Sequence, residues 1–526
     1  MIYIINNVSV PLDAEPDLHR MAIKALRCKP GDLISVQIYR RSVDARKKEN
    51  IRLTFSLAAE VRDGCHVASS PFVHELKEEQ PTFQKGEKLL EHPPVIIGFG
   101  PAGIFCALAL AREGYRPIVL EQGAPMEERT EDVKHFWERQ QLNPHSNIQY
   151  GEGGAGTFSD GKLMTRINDP FCRYVLQEFV RHGAPEEILS SAKPHIGTDL
   201  LRNIIVSLRN EIISLGGAVK FHCKVNDFYI RNGAVHGVKT SMGDIPCECL
   251  IFAGGNAARD WFFRCAERGV SIASKPFSVG VRIEHLQKDI DTALYGDYAG
   301  HPALGHAEYQ LSHRNEADGR AVYTFCMCPG GVVVPAASEQ ESIVTNGMSY
   351  HSRSGKNANS ALVVSVSERD YGNNPLDGVC FQQELERKAY AATGSYRAPV
   401  QTAGRFLLGR AGADFGRIEP TYAIGTASAD FRRILPDPIC EYLALGLRSF
   451  ESRISGFSVS DAVMTAPETR TSSPVRILRG ENRESISTAG LYPCGEGSGY
   501  AGGITSSAVD GLRTAAAVME RFLPFD

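Results

Sequence analysis

PVIIGFGPAGIFCALALAREGYRPIVLE, residues 94–121, is the stretch that decides the fold. Pro94–Gly98 reads as a short buried strand, and a helix runs from the glycines to about Glu113. Arg116–Leu120 is a second strand that ends at Glu121. The turn is G-x-G-x-x-G: Gly98 permits the tight turn, Gly100 lets the backbone approach a pyrophosphate, and Gly103 lets helix and strand pack closely. Pro101 and Ala102 open the helix, whose N-terminus offers free N–H groups and a positive dipole to phosphates. Glu121 stands about 20 residues on, where an acid for the ribose hydroxyls is expected. Gln122 and Gly123 follow it with no adjacent Arg for a 2′-phosphate, which favours FAD or NAD over NADP. Residues 95–111 carry no charge and approach the length of a membrane span, yet three glycines and Pro101 would break such a helix near its start. A buried parallel strand followed by a packed helix accounts for the same composition.

The far end of the chain selects FAD. Residues 490–513, GLYPCGEGSGYAGGITSSAVDGLR, read as a strand, a glycine-rich turn and a helix beginning near Gly503. When the ADP end of FAD lies on the first turn, a distant segment must hold the ribityl chain and flavin. Gly495, Glu496, Gly502, Gly503 and Ile504 are the candidates. The Glu496 carboxylate can accept hydrogen bonds from ribityl hydroxyls. The N–H groups of the new helix can face the flavin edge that turns negative on reduction.

The pairing of GxGPAG with G-E-G-x-G-Y-A-G-G-I resembles the glutathione-reductase-type FAD fold. More narrowly, the chain resembles a largely uncharacterised family of bacterial FAD-dependent dehydrogenases. The residues carrying this are GEGGAGTFSDGK (151–162), AKPHIGTD (192–199), FCMCPGG (325–331), NGMSYHSR (346–353), NANSAL (357–362) and ETRTSSPVRI (468–477). SVDARKK (42–48) extends it toward the N-terminus. The resemblance implies FAD binding and supplies no substrate. Further segments fit the same fold. Leu250–Gly255 is an apolar strand ending in glycines, with Ala253 and Gly254 passing the cofactor. Ala218–Val225 is similar to the strand whose backbone meets adenine, with Val225 the expected contact. Gly153 and Gly154 offer backbone approach to the flavin, and a second nucleotide site is the sharper alternative.

The expected architecture is α/β, with a Rossmann-like discontinuous FAD domain (93–165, 195–265 and 485–523). An inserted α+β substrate or cap domain (270–480) and a small N-terminal α+β domain (1–74) complete it. Residues 75–92, dense in charge, are expected to be a linker. In the N-terminal unit Leu53, Phe55 and Leu57 alternate with polar residues, as in a half-buried antiparallel strand. The run 40–50 is expected to be a turn.

The chain has 526 residues, 43% of them hydrophobic, and a net charge of −4, which excludes intrinsic disorder and a global nucleic-acid binder. The thirteen scattered cysteines lack any CxxC, and MIYIINNVSV lacks a basic leader, so a reduced, cytoplasmic chain is expected.

A flavin enzyme needs its substrate carbon near N5 and often a group to move a proton. Lys162, Lys193, His195, His351, Arg353 and Arg470 are the candidates, each against a structural alternative. Cys326 and Cys328 alternate as on a strand and read first as buried small hydrophobes, with no partner set for zinc. The expected reaction is hydride transfer between flavin N5 and a small organic substrate. No second strand–GxGxxG–helix unit appears, so electrons would come from the substrate, from visiting NAD(P)H or from a partner protein. Two other readings are an RNA-linked flavoprotein docking through Arg40, Arg41, Arg46, Lys47 and Lys48, and a redox-inert protein stabilised by FAD.

Overall fold

In a computed structural model, which describes residues 1–76 and 82–524, the opening motif becomes the centre of a five-stranded parallel sheet. Its strands run in the order Leu491–Pro493, Leu250–Phe252, Val95–Ile97, Ile118–Leu120, Ala218–Lys220. The glycine-motif strand is flanked on both sides in parallel register, Ile97 opposite Phe252 and Leu120. A strand covered on both faces carries only apolar side chains, which explains the unbroken VII of residues 95–97. The helix Pro101–Arg112 is buried along almost its whole length, because helix Ile504–Arg521 lies directly on it. Their contact is close enough that a Cβ on Gly511 would fall on the Ala102 carbonyl oxygen.

A second, seven-stranded sheet runs in the order Ser312–Arg314, Ala321–Cys328, Asn357–Val366, Phe277–Leu286, Val463–Glu468, Ala398–Thr402, Thr426–Ser428. Its spine is the ten-residue antiparallel match of Phe277–Leu286 with Asn357–Val366, from Phe277↔Val366 to Leu286↔Asn357. The four-stranded N-terminal sheet shares one apolar core with it, since Ile5, Leu26 and Phe55 belong to the same cluster as Val281, Leu362 and Leu447.

Several expectations shift. The strand Leu33–Asp44 consumes the first half of the expected 40–50 turn, because Arg41–Asp44 continue the ladder with Arg52–Phe55. Arg41 also bonds across to Ser190 and Ala192 through its backbone and to the Ala303 carbonyl through its guanidinium, at 2.6, 2.8 and 2.7 Å. Within the expected linker, residues 77–81 lie outside the described residues. Val73–Glu75 pairs with the first strand, and Lys88–Leu89 pairs with Phe522–Leu523. Residues 166–194, left out of the expected FAD segments, supply helix Phe171–Arg181, whose Phe171, Val175 and Phe179 join the apolar core beneath the glycine turn. The strand expected over 218–225 stops at Lys220. His222 takes positive φ, and Val225 begins a separate three-stranded sheet, paired with Thr240. The backbone beside the Glu121 turn is therefore that of His222 and Cys223, which donate to the Gly123 and Glu121 carbonyls at 3.0 and 2.9 Å. Among the described residues, no helix is long and apolar enough to cross a membrane.

Candidate functional site

The glycines of the first turn have separate jobs. Gly98 has φ +96°, and a Cβ there would come within 2.5 Å of the Ala253 carbonyl oxygen, so the ends of adjacent strands touch through it. A Cβ on Gly103 would fall on the Gly98 carbonyl oxygen, which enforces the close helix–strand packing. Gly100 differs: a Cβ there would meet only the Gly154 Cα, at 3.8 Å. This leaves a cradle at the helix N-terminus, where the N–H groups of Ala102 and Gly103 have no intrahelical acceptor.

The loop 151–156 lies on that cradle. Gly153 donates to the Phe99 carbonyl at 2.8 Å, and Gly154, at φ +64°, faces Gly100. Glu121 binds the assembly from below. Its carboxylate, 5% exposed, accepts the backbone N–H groups of Phe99, Gly123 and Gly151, each at 2.9 Å. The acid expected to serve ribose hydroxyls thus spends most of its acceptor capacity on three loops. Gln122 beside it is half-buried. Sequence reading missed Arg129, which is fully buried and donates to the carbonyls of Asn147, Ile148 and Glu152, fixing the approach to the glycine loop. It also missed Glu152, whose carboxyl burial pushes up to about 7. One of its oxygens takes Arg209 and the Met126 N–H, and the other is buried with no partner.

The late segment arrives beside these loops. Gly495, at φ +78°, donates to Asp510, a carboxylate held by Arg479 and Arg483. Burial pushes the neighbouring Glu496 carboxyl up to about 7. Among the described residues nothing donates a hydrogen bond to that carboxylate; Lys275 is its nearby cation. A Cβ on Gly502 would meet open space, and Gly503, at φ +153°, caps the helix that Ile504 begins. Ile504 packs over Gly156, and the Thr505 hydroxyl donates to the Leu163 carbonyl at 2.7 Å. Ala253 donates to the Ile97 carbonyl, and Gly254 is closed in by the Phe252 ring. The open cradle and its free N–H groups suit phosphates, and the donor-free carboxylate suits ribityl hydroxyls. These residues fit FAD. Val225, in another sheet, is the least integrated of the expected contacts.

Directly after the glycine loop comes a buried charged cluster. Asp160, its side chain 1% exposed, takes Arg353 through two bonds, at 3.0 and 2.5 Å, and Lys162 at 3.0 Å. Glu308 bonds Arg353 at 2.6 Å and pairs with Lys193 at 3.4 Å. Burial opposes ionisation, yet Lys162 and Arg353 hold both carboxyls below the usual range. His195 and His351 stack at 5.4 Å. The His195 Nε2 reaches the His351 carbonyl at 3.1 Å, so that nitrogen carries the hydrogen and Nδ1 the lone pair. Burial, then Arg353, lowers its basicity and keeps the ring neutral near pH 7. Lys162, Lys193, His195, His351 and Arg353 are thus brought together. Arg470 lies elsewhere, paired with the buried Glu386 that also takes Arg259. Asp160 and Glu308 escaped the sequence reading because nothing in their local spacing marks them.

Residues 276–471 match the family model for a FAD-dependent protein, C-terminal domain-like, and residues 1–60 match a domain of unknown function. An uncharacterized protein of Clostridium beijerinckii is 43% identical over 525 residues, covering 98% of each chain. Among solved structures, glycine oxidase from Geobacillus kaustophilus is 13% identical, with TM-score 0.33 over 85% of this chain and 97% of its own. Glycerol-3-phosphate dehydrogenase from Bacillus halodurans, complexed with FAD, is 13% identical, with TM-score 0.34 over 82% and 65%. Likenesses this distant leave the cofactor to the family match and to the residues themselves. With its Clostridium beijerinckii relative, this chain belongs to a family of FAD-dependent proteins, and FAD is its cofactor.

Proposed function

We propose that the protein is a FAD-dependent oxidoreductase that transfers hydride between flavin N5 and a small organic substrate carrying an anionic group. The reading rests on the charged cluster that continues the glycine loop. Lys162, Lys193 and Arg353 supply three cations against the two carboxylates of Asp160 and Glu308, an excess of one positive charge beside the flavin segments. A partly desolvated excess cation attracts and orients a carboxylate or phosphate.

Bound FAD supplies a two-electron hydride acceptor or donor; the chain does the rest. The Gly100 cradle and the N–H groups of Ala102 and Gly103 would hold the pyrophosphate, and Glu496 the ribityl hydroxyls. Arg353, fixed by Asp160 and Glu308, would orient the substrate's anionic end. His195 would take the accompanying proton on Nδ1, its Nε2–H being committed to the His351 carbonyl.

The test is the visible spectrum of the purified holoprotein before and after anaerobic NADH, NADPH and a panel of small carboxylate and phosphate donors. Bleaching of the flavin bands by a donor, weakened by Arg353→Met through KM and by His195→Gln through kcat, supports the assignment. A flavin that no donor reduces refutes it.

A further inference from the structure

Cys326 and Cys328 do not sit on a regular strand. The ladder between Ala321–Cys328 and Asn357–Val366 loses register between Phe325 and Cys328, where a bulge inserts, and Cys326 takes φ +46°. On a regular strand, alternate Cα atoms stand about 6.6 Å apart, near the outer limit of about 6.8 Å for a disulfide. A bulge bends the strand locally and re-aims its side chains. Here the Cys328 thiol turns back on its neighbour, with Sγ 3.4 Å from the Cys326 carbonyl oxygen.

The surroundings hold this conformation. Arg282, fully buried, donates through Nη1 to the Cys326 carbonyl at 2.9 Å and to Asn359, and its other nitrogens are fixed by Glu468 and Asn346. Room for the Cys328 sulfur comes from Gly347, where a Cβ would lie 2.9 Å from Sγ. Positive φ in a non-glycine residue is strained backbone, and such strain persists only where the fold over-determines it. Cys326 is half-buried and Cys328 fully buried, so Cys326 is the more accessible residue of the two. Cys326 is also within electrostatic reach of the Glu496 carboxylate and of the Lys162 ammonium.

We propose that Cys326 and Cys328 form a reversible dithiol–disulfide couple that exchanges an electron pair with the FAD and admits a small thiol or disulfide compound at Cys326. This rests on the oxidoreductase reading above. In the step, both S–H bonds break and one Sγ–Sγ bond forms. The two electrons and two protons pass to oxidised FAD, giving FADH2; the reverse step reduces the disulfide. An external dithiol closes the balance, becoming a cyclic disulfide as it restores the two cysteine thiols. The neighbouring Cys328 thiol, with the Arg282 and Lys162 cations, draws the Cys326 thiol below the ordinary range, while Cys328 is pushed up. That difference makes Cys326 the attacking and attacked sulfur.

Two arms test this on the holoprotein. In the first, the protein is equilibrated with reduced or oxidised dithiothreitol, quenched with iodoacetamide under denaturing conditions and digested. The peptide carrying both cysteines should take two labels when reduced. When oxidised it should take none and be two hydrogens lighter; two labels under every condition overturn the couple. In the second, anaerobic dithionite titration should consume four electrons per FAD in the wild type and two in Cys326→Ser and Cys328→Ser. Two electrons in the wild type, with the disulfide persisting beside reduced flavin, overturn the exchange with FAD. A flavin that dithionite cannot reduce overturns both the exchange and the oxidoreductase reading, while the labelling arm still decides the couple by itself.

Discussion

Glu121→Gln separates two roles that the same carboxylate could have. As it stands, Glu121 accepts three backbone N–H groups, those of Phe99 on one oxygen and of Gly123 and Gly151 on the other. Glutamine has the same shape but one acceptor oxygen, so in either orientation at least one N–H faces an amide NH2. The milder orientation keeps Gly123 and Gly151 and abandons Phe99. A hydrogen bond to a charged acceptor contributes about 1.5–3 kcal/mol, so the expected loss is at least about 2 kcal/mol in the protein stripped of FAD. Since 1.4 kcal/mol is tenfold in an equilibrium, amide exchange of Phe99, Gly123 and Gly151 should accelerate by about 30-fold wherever local opening governs it. Hydrogen exchange read by mass spectrometry on the FAD-free protein makes the measurement. Unchanged exchange there, with FAD affinity alone reduced, would refute the role in holding the loops and return Glu121 to the ribose.

Other consequences are more direct. Asp160→Asn strips the shared carboxylate from Arg353 and Lys162 and should cost about 3–5 kcal/mol, the usual penalty for uncompensating a buried charge. In urea unfolding, the double variant with Arg353→Met should lose much less than the sum of the two. Glu496, whose folded carboxyl titrates near 7 against an ordinary 4.5, holds a proton that the unfolded chain has released between those values. Apo-protein stability therefore falls as pH rises through that window and levels above it. Glu496→Gln should remove that part of the slope, and parallel wild-type and variant profiles would sink the assignment. Gly511→Ala forces the Ile504–Arg521 helix off the Ala102 carbonyl. It should lower stability by about 1–3 kcal/mol and also the FAD retained per chain, both read on the purified protein.

How far the sequence carries depends on how local each cause is. Strand, glycine turn and helix over 95–112 were legible because backbone sterics and apolar periodicity act within a few residues, and the observed elements Val95–Ile97 and Pro101–Arg112 follow them. The alternation at Leu53, Phe55 and Leu57 was legible for the same reason: all three are buried, with partly exposed residues between. The end of a strand is less local. Residues 40–44 look like a polar turn, but pairing with 52–56 keeps them extended, and Arg41 is spent on contacts to Ser190, Ala192 and Ala303. The strand expected over 218–225 stops early because the chain turns at His222 to pass beneath Glu121, and no periodicity records that turn.

By itself, then, the sequence determined the dinucleotide turn, the late segment that pairs with it, and the set of histidines and cations from which a reaction centre could be drawn. Those follow from steric rules and from motif spacing along one stretch of chain. Only the tertiary structure decided that Asp160 and Glu308 join Lys162, Lys193 and Arg353, that Arg470 does not, and that Cys328 folds back on Cys326. The physical reason is burial. A charge removed from water must find its counter-charge wherever packing delivers one, and Asp160 meets Arg353, and Arg282 meets Glu468, across 193 and 186 residues of chain.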